Sequence, residues 1–132
     1  MIALDTNVIV RFLVRDDEVQ AQAARARLAQ AETERERLLI PLLVVLETIW
    51  VLESAYGKSR TAILDAIEDL RHMSIIELEA DDVIARLLAD GRKYKADLAD
   101  ILVAHAAQSS GCDSVLTFDK TAAKLPYFTL LK

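Results

Sequence analysis

The sequence predicts an α/β fold: a small, mainly parallel sheet of four or five strands in a three-layer α/β/α arrangement. Three observations carry that expectation. Short apolar runs alternate with long helical stretches, the pattern of a parallel sheet whose crossovers are helices. Only 3 Gly and 2 Pro occur, too few for a sandwich of many short strands. At 132 residues the chain suits one domain, residues 1–132, with no linker, internal repeat or low-complexity run.

The first strand is Ile2–Leu4, an apolar run closed by Asp5. Val8, Ile9, Phe12 and Leu13 then recur at helical spacing. DDEVQAQAARARLAQAETERER (16–37) is Ala-rich, charged and free of breakers, which predicts a partly exposed helix. LLIP (38–41) predicts a short strand. LLVVLETIWVLESAY (42–56) is apolar on every face until Glu53, which predicts a buried helix stopped by Gly57. Residues 59–73 form an amphipathic helix through Ile63, Ile67 and Leu70. SIIELE (74–79) is a strand, and 80–94 is a helix in which Gly91 marks a point of fraying or bending. Residues 97–111 give another helix, ended by Gly111. SVLTF (114–118) is a strand running into Asp119, and YFTLL (127–131) fits a last, edge strand.

A hydrophobic share of 53% excludes disorder. The single Cys112 leaves neither a disulfide framework nor a cysteine zinc site, which suits a reducing cytoplasm. No signal peptide precedes the first strand. The longest apolar stretch, 38–52, contains Pro41 and Glu47 and is shorter than the roughly 18 residues of a membrane span. A soluble protein without membrane contact is expected. The net charge of −5 has the wrong sign for coating nucleic acid without sequence preference. A nucleic-acid substrate would need another attractor, and divalent cations supply one.

The acids are the informative residues. Ligands of open parallel sheets bind at the carboxyl ends of the strands, and Asp5 and Asp119 each follow a strand. Glu47 interrupts an apolar helix, where an unpaired buried carboxylate costs several kcal/mol or holds a proton. Asp97 and Asp100, three apart at a helix start, share one face near its positive end. Each also has an ordinary structural role open to it. Asp5 suits a helix cap, and capping is the leading role for Asp97. Asp119 suits a turn, Asp100 a dipole partner, and Glu47 a pair with a buried Arg. Two carboxylates about 4 Å apart repel by about 4 kcal/mol at an effective dielectric of roughly 20. A cluster of four therefore requires cations or bound protons. All-oxygen ligands suit Mg²⁺ or Mn²⁺ rather than zinc.

LDTNVIV, VLETIWVL and ADLADILVAHAAQSSGCDSVLTFDK together resemble the motif blocks of the PIN-domain nucleases. Within that family they look like the VapC-like ribonuclease toxins of bacterial type II toxin–antitoxin pairs. Order and rough spacing match over essentially the whole chain. The resemblance makes Asp5, Glu47, Asp100 and Asp119 the catalytic, metal-holding acids, with Asp97 as a substitute for the fourth. It implies an endoribonuclease that hydrolyses RNA phosphodiester bonds. The physical reading agrees: Mg²⁺ or Mn²⁺ on Asp5, Glu47 and Asp100 lowers the pKa of a bound water and neutralises charge developing on the scissile phosphate. Asp119 would hold a second metal or orient the water. Asn7 and Thr117 suit hydrogen bonds to those carboxylates, and equally suit ordinary capping and strand placement. The resemblance also implies a homodimer and a cognate antitoxin, lying in a groove between the helices at 16–37 and 59–73.

Arg11 and Arg15 follow Asn7 at steps of four, which puts all three on one helical stripe. Arg11 is the foremost candidate for an RNA phosphate contact. Arg92, Lys93, Lys95 and Lys120 flank the last block, although basic residues in a last helical turn also satisfy its dipole. Three further signals fail. GKS at 57–59 lacks the first Gly of a P-loop, that position being Leu52. Nothing places His72 beside His105 for metal-free acid–base cleavage, so each is read as packed or solvated. Trp50 reads as core rather than as a stacking platform for bases. A haloacid-dehalogenase-like phosphatase needs a second Asp where Asn7 stands, and a receiver-like domain lacks its acid pair. A non-catalytic metal- or nucleic-acid-binding module stays open, and only turnover separates it from the enzyme.

Overall fold

The computed structural model describes all 132 residues, Met1–Lys132. In chain order its elements are β1 (Ile2–Ala3), α1 (Thr6–Leu13), α2 (Glu18–Glu34), β2 (Leu38–Ile40), α3 (Leu42–Ser54) and α4 (Arg60–His72). They continue with β3 (Ile76–Leu78), α5 (Asp81–Lys93), α6 (Leu98–Ser109), β4 (Val115–Thr117), a 3-10 turn (Ala122–Lys124) and β5 (Phe128–Leu130). The chain divides into two compact units, Met1–Asp81 and Asp82–Lys132.

The first unit holds a sheet of order β1-β2-β3. Both ladders are parallel, with Ile2 opposite Leu38 and Leu38 opposite Ile76. Parallel neighbours need long crossovers, and the helix pairs α1–α2 and α3–α4 supply them. α2 buries Ala21, Ala24, Leu28 and Ala31, a stripe of mostly small side chains that lets it lie close to α1. α4 buries Ile63, Leu64, Ile67 and Leu70, and each such side chain contributes about 1.5–3 kcal/mol when fully buried. Pro41 begins α3 without a side-chain cap; Glu79, just after β3, takes the Leu42 N–H instead at 2.7 Å. α3 ends where Gly57 adopts φ +58°, a left-handed turn that costs glycine little.

One expectation fails here. α3 is not buried on every face: Leu43 is 77% exposed and Trp50 64% exposed, and Glu47 between them is exposed too. These residues lie at i, i+4 and i+7, so they form one outward stripe opposite buried Val45, Ile49 and Leu52. Composition cannot separate a helix buried all round from one whose outer stripe is apolar. Trp50 is therefore a surface residue, not core.

In the second unit, β4 and β5 pair in parallel, Val115 opposite Phe128. The run at 127–131 is thus an edge strand. α5 continues through Gly91, which is buried, and ends at Lys93. α6 closes where Gly111 adopts φ +89°, with the Cys112 N–H returned to the Ala107 carbonyl at 3.0 Å. The class is α/β with parallel pairing throughout, as expected. The five strands are divided between a three-stranded and a two-stranded sheet. No helix is long and apolar enough to cross a membrane.

Candidate functional site

The second unit brings three of the predicted acids within electrostatic reach of one another. Asp97 is the N-cap of α6, its Oδ1 accepting the Ala99 N–H at 2.8 Å. Asp119 follows β4. Its N–H donates to Thr117 Oγ1 at 3.0 Å, and its Oδ1 accepts the Thr121 N–H at 2.8 Å. Asp100 sits half-buried in the first turn of α6. It has no hydrogen-bond or ion-pair partner. Burial, then the charge of Asp97, then that of Asp119 push its carboxyl above the usual carboxylate range. The ordinary roles of Asp97 and Asp119 are real, and each commits one oxygen only. Thr117 acts on the Asp119 backbone rather than on a carboxylate.

The first unit carries the other two acids. Asp5 is the N-cap of α1 and accepts the Thr6 N–H at 2.7 Å through Oδ1. Asn7 is exposed in the first turn of the same helix. Glu47 makes no hydrogen bond or ion pair. Being exposed, it has no need of the buried Arg that the sequence left open. Its neighbour Thr48 is 2% exposed, and the Thr48 Oγ1 has no partner.

Arg11 is already engaged. Its Nε donates to Gln20 Oε1 at 2.7 Å, and its Nη1 donates to the Tyr56 hydroxyl at 2.8 Å and to Asp16 Oδ1 at 3.1 Å. Tyr56 donates in turn to Asp16 Oδ2 at 2.7 Å. The Tyr56 hydroxyl, with Arg11 behind it, holds the Asp16 carboxyl below its ordinary range. A phosphate contact by Arg11 would compete with this knot. Arg15 does not continue the stripe, because α1 ends at Leu13 and Val14 is already extended. Lys93 lies over the Tyr94 ring at 5.2 Å.

A part-buried polar cluster in the second unit was not legible in the sequence. His105 is 3% exposed, and its Nε2 lies 2.7 Å from Asp90 Oδ2. The Tyr127 hydroxyl donates to the same oxygen at 2.7 Å. That bond and burial push the Tyr127 hydroxyl up to about 12. Of the two roles left open for it, packed or solvated, His105 takes the packed one, but its partners stand 15 and 22 residues away. No local spacing announces them.

In neither unit do three or more His, Cys, Asp or Glu side chains converge closely enough to hold a metal ion by themselves. Asp97, Asp100 and Asp119 nonetheless offer oxygen donors alone, and the charges of Asp97 and Asp119 both act on Asp100. Mg²⁺ keeps several waters and takes one or two carboxylates, so this donor set fits such an ion. A cleft of about 480 Å³ in the first unit is lined by Ile2, Leu4, Val8, Arg11, Ala24 and Arg27 among others. It draws on α2 but is closed by β1 and α1 rather than by α4. Residues of α4 line a separate cleft of about 290 Å³ with the end of α1.

Residues 2–126 match the family model of the PIN domain. A VapC ribonuclease of Aquifex aeolicus (strain VF5) is 24% identical over 127 residues, which span 96% of this chain and 93% of that protein.

Proposed function

This chain belongs to the PIN domain family, and from that premise we propose that it is a metal-dependent endoribonuclease, the toxin of a toxin–antitoxin pair. One observation supports the metal requirement: Asp100 is half-buried and without a partner, and burial and the charges of Asp97 and Asp119 all raise its carboxyl. A dication relieves that charge, and the acidic protein also needs one to approach RNA phosphate. Bound Mg²⁺ or Mn²⁺ supplies an activated water and neutralises charge on the phosphate.

The chain's own residues do the rest. Asp100 and Asp119 offer the oxygens, and Thr117 fixes the backbone of Asp119. Asp97 caps α6 and so preserves the turn that carries Asp100. Asp5 and Glu47 serve as further metal-holding acids, a role that rests on the first two motif blocks. Asp5 commits one oxygen to Thr6, Glu47 commits neither, and both therefore keep oxygens for a cation. Asn7 would orient Asp5. The relative named a VapC ribonuclease supports RNA as substrate. An antitoxin segment would seat in the apolar cleft of the first unit, whose lining includes Arg11 and Arg27. We further infer a homodimer acting in the cytoplasm, with residues 1–132 as one nuclease domain.

The test is cleavage by the purified protein. Mg²⁺ or Mn²⁺ should support RNA cleavage that leaves 5′-phosphate ends and stops in EDTA. Products ending in 2′,3′-cyclic phosphate and formed in EDTA would sink the proposal.

A further inference from the structure

The acids of the second unit ride on two separate elements. α6 brings Asp97 and Asp100, and the end of β4 brings Asp119. The part-buried cluster of Asp90, His105 and Tyr127 joins those elements. His105 lies on α6, five residues after Asp100, and reaches Asp90 on α5. Tyr127 reaches the same Asp90 oxygen and leads into β5. The Tyr127 carbonyl accepts the N–H of Val115, the first residue of β4, at 3.0 Å. At the other end of β4, Thr117 Oγ1 accepts the Asp119 N–H. A continuous line of hydrogen bonds and short covalent segments thus runs from Asp100 to Asp119.

An ionised carboxylate accepts but cannot donate, so both the imidazole Nε2 and the phenol carry the protons they aim at Asp90. These part-buried groups satisfy one another, and His105 Nδ1 also meets Gln108 Oε1 at 3.3 Å. The His105 and Tyr127 rings also meet at 4.9 Å, inclined at 59°. An apolar trio would fill the same space, but it would not fix the direction of approach as hydrogen bonds do.

We propose that Asp90, His105 and Tyr127 are positioning residues, which set the spacing of Asp100 and Asp119 and with it the affinity of these acids for a divalent cation. The proposal rests on the reading that these acids hold the metal. Tyr127→Phe is the sharpest probe, because it deletes one hydroxyl and keeps the ring.

The experiment is Mn²⁺ titration followed by electron paramagnetic resonance, on wild type, Tyr127→Phe, His105→Ala, His105→Gln and Ile84→Val, with melting temperatures alongside. Tyr127→Phe should weaken Mn²⁺ binding, by up to the roughly tenfold that losing a hydrogen bond made directly to a ligand costs. Its kcat should fall while KM for RNA holds. His105→Gln, which keeps an N–H donor for Asp90, should recover part of the affinity lost on removing the side chain in His105→Ala. Ile84→Val, a core change in α5 outside the cluster, should lower the melting temperature without changing affinity. Wild-type affinity in both Tyr127→Phe and His105→Ala would overturn the proposal. A wild-type protein that binds Mn²⁺ but leaves RNA intact would remove the nuclease reading alone, because the affinity comparison needs no turnover. A wild-type protein that does not bind Mn²⁺ would overturn both.

Discussion

Asp100 lies within electrostatic reach of Asp119, and its own carboxylate has no hydrogen-bond or ion-pair partner. Burial, Asp97 and Asp119 raise the Asp100 carboxyl in that order. A raised carboxyl in the folded state favours the folded protein below the unfolded value of about 3.9. That contribution is lost as pH rises through the raised folded value. At neutral pH without metal, Asp100 is therefore a destabilising charge. Asp100→Asn should melt a few degrees above wild type in EDTA at pH 7, and the gap should close below about pH 4. A mutant that melts lower at pH 7 would contradict this.

Asp97 has a measurable cap. Asp97→Ala should cost about 1 kcal/mol, whereas Asp97→Asn keeps the acceptor for the Ala99 N–H and should cost little. Urea unfolding of both separates the cap from the charge. Asp97→Asn should weaken Mn²⁺ binding less than Asp100→Asn does, because Asp97 already commits an oxygen to the helix. Equal losses would give Asp97 the larger share in metal binding.

Thr48 buries a hydroxyl without a partner. Replacing it by Val removes the unsatisfied polar atom at nearly constant shape, and should stabilise the fold by about 1 kcal/mol. The urea midpoint should rise, and RNA cleavage should persist because the neighbouring Glu47 is untouched. A loss of stability would mean that the hydroxyl has a partner in solution.

The order of elements was legible because periodicity and stop residues are local. Gly57 and Gly111 end helices where the sequence placed the ends, and all five strands fall inside the expected runs. The apolar run of α3 misled, since exposure of Leu43 and Trp50 depends on what packs outside the helix. Asp97 was recognisable as a cap because its partner lies two residues on. The engagement of Arg11 by Tyr56 and the Asp90–His105–Tyr127 cluster were not recognisable, because their partners are distant in sequence. The acids were found by their order along the chain. Their electrostatic load became visible only where the fold sets Asp97, Asp100 and Asp119 in reach of one another.

Metal binding should register as stability. Adding Mn²⁺ should raise the wild-type melting temperature, since a ligand that binds only the native state stabilises it. Asp100→Asn should show a smaller rise than wild type. Equal rises in the two proteins would place the metal away from Asp100.

The most direct measurement is RNA cleavage by Asp5→Asn in Mn²⁺. Asn keeps an oxygen for the Thr6 N–H that Asp5 now accepts at 2.7 Å, so the α1 cap survives and only the charge is lost. If Asp5 holds the metal, cleavage disappears while the metal-free protein melts at or above the wild-type temperature. If Asp5 only caps α1, Asp5→Asn cleaves RNA at the wild-type rate, and the metal-dependent reading of the opening motif is wrong.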